Sequence, residues 1–473
     1  MTSAAARAPG PRGGEVLRTL LRRARDPFRT MVELAQRYGP VVEIRVGGTS
    51  HFLVSGAAEA RHVLVDNQSN YVKGPGYALW GRILGRGLVT SDGEHWRSHR
   101  RLVQPSLHRD RMDEFAAVMS DVALAEAHRL ASRAGAVVDV YDRMTRIALR
   151  IAARAFLGTD LRAAEDELCD ALTEVFAHVQ RLSASPLRAV GMIPGLRVLD
   201  PAMAGIRGLL SPGERRFEDA LETLDRVIGE VIFRRRAAMQ EPERHDDLVS
   251  RLLRAASENP GTTLTDRDIR DEVVTMFVAG HETTAAGLTW CLHLLAEHPD
   301  HQDRVAAEAL VLPPDAGFRV RDLDGLGHAR RVFQESLRLF PPVWRLSRHS
   351  LREDRLGGHP VPPGSVIIVS PFLIHRDPDL WDRADEFDPS RFDGPDGEAR
   401  PRDAYLPFGG GRRGCPGGGF ATVEAQVVLS ALCRRLVFTP GYATRPDFEP
   451  RLTLQPRGGM PLRITLREPA PRP

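Results

Sequence analysis

Cys415 stands in the run Phe408-Gly409-Gly410-Gly411-Arg412-Arg413-Gly414-Cys415-Pro416-Gly417, and a helical pattern from Phe420-Ala421 through Glu424 follows directly. A glycine-rich loop exposes successive backbone N–H groups that can point at one anion, and a cysteine at a helix start feels the positive end of the dipole. With Arg412 and Arg413 beside it, Cys415 is expected as a thiolate, in contrast to a free thiol of pKa about 8.5. Cys169, Cys291 and Cys433 read as small buried hydrophobes. Gly409-x-Gly411-x-x-Gly414 formally matches the dinucleotide-binding fingerprint. That fingerprint needs a strand before it, a βαβ unit around it and an acid about 20 residues on, and this loop lies near the C-terminus with no parallel strand after it.

A second group sits inside a long helical pattern. Ala279-Gly280-His281-Glu282-Thr283-Thr284 puts a glycine, an acid and two β-branched alcohols where a buried helix would prefer Leu or Ala. His281-Glu282 is not the start of a zinc-protease motif, because position 285 is Ala. The bland role for Thr283 is a hydroxyl bonded back to a helix carbonyl. Neighbours in sequence lie about 100° apart on an ideal helix, so Glu282 and Thr283 can share a proton path only if the helix is distorted, which Gly280 would permit. Two further pairs have the spacing to meet on one helical face: Glu335 with Arg338, and Trp96 with Arg100, the latter able to donate to one carboxylate.

The Cys415 loop matches, at each fixed position, the haem-binding signature Phe-x-x-Gly-x-Arg-x-Cys-x-Gly, and the chain resembles the cytochrome P450 family from about residue 26 to 465. The resemblance implies haem b (iron protoporphyrin IX) with Cys415 as axial iron ligand and Phe408 against the proximal face. Gly409 and Gly417 belong to the same loop, and Arg413 reaches a haem propionate. A thiolate ligand pushes electron density onto the iron and favours cleavage of O2. It also implies that Gly280, Glu282 and Thr283 form the oxygen-activation motif, with Glu in place of the commoner Asp. Trp96 and Arg100 resemble the propionate-binding pair. Arg348 sits where relatives place another propionate partner, and Arg345 is close enough to compete. Glu335, Arg338 and Arg391, the last in Asp388-Pro389-Ser390-Arg391-Phe392, resemble a buried network that supports the proximal loop.

These residues need elements to position them. Asp26 can cap and Pro27 open a helix that Gly39 closes; Val41–Val46, a Gly47-Gly48-Thr49 turn and Phe52–Val54 then read as a hairpin. From about residue 92 to 300 the pattern is almost wholly helical. Thr265 with Asp268 makes a capping box for a helix that runs to about His298, where Pro299 stops it, roughly 50 Å in all. Strand signals return at Val366–Val369, Leu452–Leu454 and Leu462–Ile464. The expected class is mainly α with small sheets (α+β): a flexible basic leader over 1–25, then a single cytochrome P450 domain over 26–473. The Pro- and Gly-rich stretch Ser183–Gly213 reads as a mobile lid rather than a linker, because it carries apolar residues a solvated linker would not want.

Composition bounds the partners. Apolar residues make up 42% and charged residues 27%, the balance of an ordinary globular protein. Of 65 basic residues all but Lys73 are Arg, interspersed among 62 acids, so nucleic acid is a poor partner, and a Gly-Lys-Ser/Thr phosphate loop is absent. No signal peptide or membrane span is legible and the four cysteines are widely spaced, which fits a cytoplasmic monomer. The resemblance implies a monooxygenase acting on a lipophilic small molecule, a terpenoid or other natural-product intermediate of secondary metabolism. A fatty-acid hydroxylase is the alternative, and Glu282 and Thr283 argue against a non-oxygenating haem-thiolate protein. NAD(P)H electrons are expected through a ferredoxin and its reductase, docked on Arg97, Arg101 and Arg412. The pocket is expected from Tyr71–Leu88, the lid, the Val274, Phe277 and Val278 face and Val343–Leu346, apolar with little fixed charge.

Overall fold

Asp26 ends one helix and caps the next. In the computed structural model, which describes residues 7–74, 77–159, 161–184, 212–238, 247–258, 264–312, 317–394 and 402–468, α1 spans Gly14–Arg25 and α2 Pro27–Tyr38. The Asp26 carboxylate accepts from the Arg29 amide at 2.9 Å, with Pro27 opening α2 as expected. The segment read as a flexible leader is therefore largely ordered. Glu15 in the first turn of α1 and Arg22, Arg23 and Arg25 in its last turn both suit the helix dipole. Glu15 also ties α1 to α2 by accepting from Arg37 and, at 3.1 Å, from the Tyr38 hydroxyl.

The hairpin pairs β1, Val41–Val46, with β2, Thr49–Val54, antiparallel from Val41↔Val54. β3 is Tyr71–Val72. A helical body follows, with α3 Gly93–Val103, α4 Met112–Ala131, a short β4 at Val137–Asp139, α5 Val140–Ala152, α6 Glu165–Ala184 and α7 Pro212–Ala238. Most of the expected lid, residues 185–211, lies outside the described residues. The long helix α8 spans Asp266–Glu297. The Thr265 hydroxyl accepts from the Asp268 amide, and the Asp268 carboxylate accepts from the Thr265 amide. Pro299 opens α9, Pro299–Leu310, so it begins the next helix as well as ending this one. α10 is Gly327–Leu339.

β5, Leu346–Ser350, and β6, Val366–Val369, complete a five-stranded sheet in the order β1-β2-β6-β5-β3. α11, Gly418–Arg435, follows the cysteine loop and leads into β7, Leu436–Pro440. β8, Phe448–Pro450, pairs with β9, Leu454–Pro456, while β10, Pro461–Leu466, lies between β4 and β7. The strand expected at Leu452–Leu454 thus starts only at Leu454, because residues 451–453 make the bend between β8 and β9. The fold is helix with small sheets.

One network ties these layers together. Glu335 and Arg338 form a two-pronged pair on α10, 2.7 Å at each prong and with no solvent exposure on either side chain. Arg338 also donates to the carbonyls of His375 at 3.0 Å and Glu386 at 2.9 Å. Glu335 accepts from the Asp388 amide at 3.0 Å and meets Arg391 at 3.3 Å. His375 carries the connection onward: burial, then the nearby Arg338, pushes its imidazole down to about 3, and its neutral Nε2 accepts from the Leu406 amide at 2.7 Å. Leu406 in turn takes the Gly409 amide at 3.1 Å, at the head of the cysteine loop. Removing one partner of a buried ion pair strands the other, so Glu335→Ala should lose about 3–5 kcal/mol of stability. A urea titration that finds the variant as stable as the parent refutes this.

Candidate functional site: a cysteine loop and a buried cationic cleft

The cysteine loop turns on a close approach. Gly411 has φ +66, and a Cβ there would stand 2.0 Å from the Leu64 carbonyl oxygen, so only glycine fits. Gly409 likewise has a left-handed φ of +71. The Phe408 carbonyl accepts from the Cys415 amide at 2.8 Å, folding the loop back on itself. The Phe408 ring packs on Gly418, where a Cβ would meet it at 3.2 Å. Cys415 arrives just before α11, and the Gly417 amide donates to its sulfur.

Cys415 is exposed, and the Arg100 charge lies close enough to act on its sulfur. Burial pushes the thiol up, with the Gly417 amide and the Arg100 charge pulling back. The expectation that Arg412 and Arg413 hold it as a thiolate fails. Arg412 is exposed, and Arg413 turns to the Ser91 carbonyl and the Asp92 carboxylate with its guanidinium 4.4 Å over Trp96. The loop presents a sulfur whose ionised form requires a cation at its open side.

Near the loop, positive charge is buried in excess. Arg348, in β5 opposite Ile367, is buried, and among the described residues its Nη1 reaches the neighbouring Ser347 carbonyl at 2.9 Å. Burial pushes Lys73 down; the neighbouring Tyr77 opposes this, and Arg348 and Arg413 add to it. The Lys73 ammonium lies 4.1 Å over the Tyr77 ring. Burial, then Arg23, pushes Arg345 down to about 10. Among the described residues none of Lys73, Arg345 and Arg348 has a carboxylate partner. Buried cations are normally paired, so this cleft is built for anions. A porphyrin with two propionates and a metal for Cys415 fits the donor set: Arg348, Lys73 and the Trp96 indole would take the carboxylates. Arg100, one turn from Trp96, donates instead to the Gly414 carbonyl at 3.1 Å and steadies the loop.

Sequence reasoning missed the Lys73 charge and the Tyr77 hydroxyl beside it, since Tyr71–Leu88 was read as apolar lining. The signal was there in plain form: the chain keeps one lysine in a background of arginine.

On α8 nearly every residue is buried, and the break in that burial falls at Ala279, Gly280 and Thr283. A helix this deep can expose residues only to an internal space. The helix runs unbroken through Gly280, so the anticipated distortion is not seen. A Cβ at Gly280 would stand 3.0 Å from Phe156, and the glycine serves that contact. The Thr283 hydroxyl donates to the Ala279 carbonyl at 2.7 Å, the back-bond weighed for it. Glu282 points elsewhere: its Oε1 accepts from Thr453 at 3.0 Å and Gln455 at 2.6 Å, while Oε2 is buried with no partner among the described residues. The structure does not bring Glu282 and Thr283 together. It does bring together Glu335, Arg338 and Arg391.

The sequence matches the family model for Cytochrome P450 over residues 8–462. This chain belongs to the cytochrome P450 family. Among its relatives, cyclooctatin synthase of Streptomyces melanosporofaciens is 34% identical, covering 91% of this chain and 90% of that one. Cyclooctat-9-en-7-ol 5-monooxygenase of the same organism is 33% identical over 88% and 86% of the two chains. Pentalenene oxygenase of Streptomyces avermitilis is 30% identical over 89% of each. The P450 is thus a haem-iron oxygenase by family. Among its described residues no helix is long and apolar enough to cross a membrane.

Burial pushes the Glu282 carboxyl of this P450 up to about 7, with Thr453, Gln455 and Arg451 pulling back. An acid that holds its proton more tightly folded than unfolded contributes nothing below its unfolded pKa; ionisation then destabilises the fold progressively as pH rises to the folded value. Glu282→Gln should therefore gain stability over the parent between about pH 4.5 and about pH 7, reaching up to about 3 kcal/mol. Urea unfolding at several pH values checks it: parallel stability curves for the two proteins refute the assignment.

Proposed function

We propose that the protein is a haem-thiolate monooxygenase that places one atom of O2 in a terpenoid of secondary metabolism, by hydroxylation or epoxidation. The observation that carries the cofactor assignment is the cysteine loop beside a cluster of cations, buried Arg348 and half-buried Lys73 and Arg345, none of which has a carboxylate partner among the described residues. The names of the relatives, a cyclooctat-9-en-7-ol 5-monooxygenase and a pentalenene oxygenase, support the substrate class. A fatty-acid hydroxylase is the second reading, favoured by Lys73 and Arg345, either of which could take a substrate carboxylate.

Haem bound here supplies activation of O2 and transfer of one oxygen atom. The chain does the rest. Cys415, Arg348, Lys73 and Trp96 hold and orient the cofactor, and Arg391, Glu335 and Arg338 keep the loop beneath it rigid. Val274, Phe277 and Val278 keep α8 apolar on the approach to the Ala279–Thr283 window. Glu282, pushed up to about 7, exchanges a proton near neutral pH, and Oε2 is the oxygen left for it, since Oε1 accepts from Thr453 and Gln455. Releasing the Thr283 hydroxyl from the Ala279 carbonyl requires only a side-chain rotation.

Electrons are proposed to come from NAD(P)H through a ferredoxin and its reductase, and a single domain in the cytoplasm fits the four free cysteines. Arg97 and Arg101 both pair with Glu94, at 2.8 and 3.6 Å, which mutes their charge. Arg412 is exposed with no carboxylate partner among the described residues, so it is the stronger attractor for an acidic protein.

The test is the spectrum of the reduced, CO-bound protein followed by a spin-state screen with terpenes and fatty acids. A thiolate-type carbonyl band, lost in Cys415→Ser, and a spin shift with terpenes are expected. A carbonyl spectrum unchanged by Cys415→Ser defeats the ligand assignment, and spin shifts with fatty acids alone defeat the terpenoid reading. Arg412→Glu should slow ferredoxin-supported reduction and leave substrate affinity unaltered; the opposite pattern places the docking face elsewhere.

A further inference from the structure

α3 carries two histidines one turn apart, His95 and His99, whose rings stack with centroids 3.9 Å apart. Asp268, in the first turn of α8, completes a cluster in which one ligand atom from each of the three lies within 4.8 Å of the others. None of these residues has a part in the haem site described above.

The surroundings fix which atoms remain free. The Arg86 carbonyl lies 2.9 Å from His95 Nε2, and a carbonyl can only accept, so Nε2 carries the proton and Nδ1 keeps its lone pair. The buried Glu272 carboxylate lies 2.8 Å from His99 Nδ1 and accepts with its other oxygen from the Leu88 amide, so His99 keeps the lone pair on Nε2. Asp268 spends Oδ2 on both the amide and the hydroxyl of Thr265, leaving Oδ1. Each side chain is thus oriented by a separate partner that leaves one donor atom available. A carboxylate behind a ligating histidine and a hydrogen-bonded carboxylate ligand are the outer supports that metal sites carry.

We infer that His95, His99 and Asp268 form a binding site for a divalent transition-metal ion, with zinc the best match. Two imidazoles and one carboxylate suit zinc at about 2.0–2.2 Å, with water as fourth ligand. Donors around a tetrahedral ion stand about 3.3 Å apart, so small side-chain rotations close the site. The ion joins α3 to the start of α8. Trp96 and Arg100 alternate with the two histidines on α3, so the clamp fixes the helix whose Arg100 steadies the Cys415 loop and whose Trp96 would meet a propionate.

The experiment uses the haem-loaded full chain without a polyhistidine tag, stripped of metal with EDTA, then titrated calorimetrically with zinc chloride and melted with and without the ion. One zinc per chain and a higher Tm are expected. His95→Ala, at a half-exposed position, and Asp268→Asn, which keeps a side-chain oxygen for the helix cap, should each bind about 100-fold more weakly and lose the Tm rise. An unchanged visible spectrum certifies that a variant is folded. The inference fails if the parent shows no saturable binding up to about 1 mM zinc, or if either folded variant keeps the parent's affinity.

Discussion

A carboxylate and a guanidinium shut away from water, Glu335 against Arg338, hold the loop that presents the reactive sulfur. Neither charge could be buried alone, because transfer of a single ion out of water is far costlier than any one packing contact returns. Locked together, they fix the carbonyls of His375, Ala384 and Glu386 and the Asp388 amide at once. Through the neutral imidazole of His375 the constraint reaches Leu406 and then Gly409. The turn of the cysteine loop is therefore set by a network that never touches the chemistry.

The same physics is used in reverse on the other side of the site. Arg348 is buried and Lys73 and Arg345 are half-buried, with no carboxylate to match them among the described residues, a condition that favours an anion beside them. The two regions divide the labour: a compensated pair supplies rigidity, and an uncompensated cluster supplies affinity. Cys415 belongs with the second group, since its burial disfavours a free thiolate and favours a sulfur bound to a metal cation.

Much of this was legible in the residues. The capping box at Thr265, the hairpin at Val41–Val54 and the Asp26-Pro27 helix start are local signals, and local hydrogen bonds decide them. The cysteine loop was legible because glycine, arginine and cysteine at fixed spacing have few other uses. What escaped depended on tertiary placement. Lys73 and Arg348 are 275 residues apart, and nothing in either neighbourhood announces that they share a cleft. Arg413 was expected to reach a propionate, and its contact with Asp92, from a turn 321 residues away in sequence, was not legible. The helix at Gly14–Arg25 was read as a loose leader because its arginines suggested solvent, while Glu15 and its partners on α2 lay beyond what periodicity can express.

Ahead of that helix, Ala8 is fully buried, and the Pro9 carbonyl accepts from the Glu43 amide on β1 at 2.8 Å. Gly10 lies so close to the strand that a Cβ there would stand 2.1 Å from the Glu43 carbonyl oxygen. β1 is the outermost strand of its sheet, and an uncovered outer strand is a template on which another copy of the chain can add. Residues 8–10 therefore cover part of that outer margin, and a chain trimmed to begin at α1 would leave the Glu43 amide without its Pro9 acceptor.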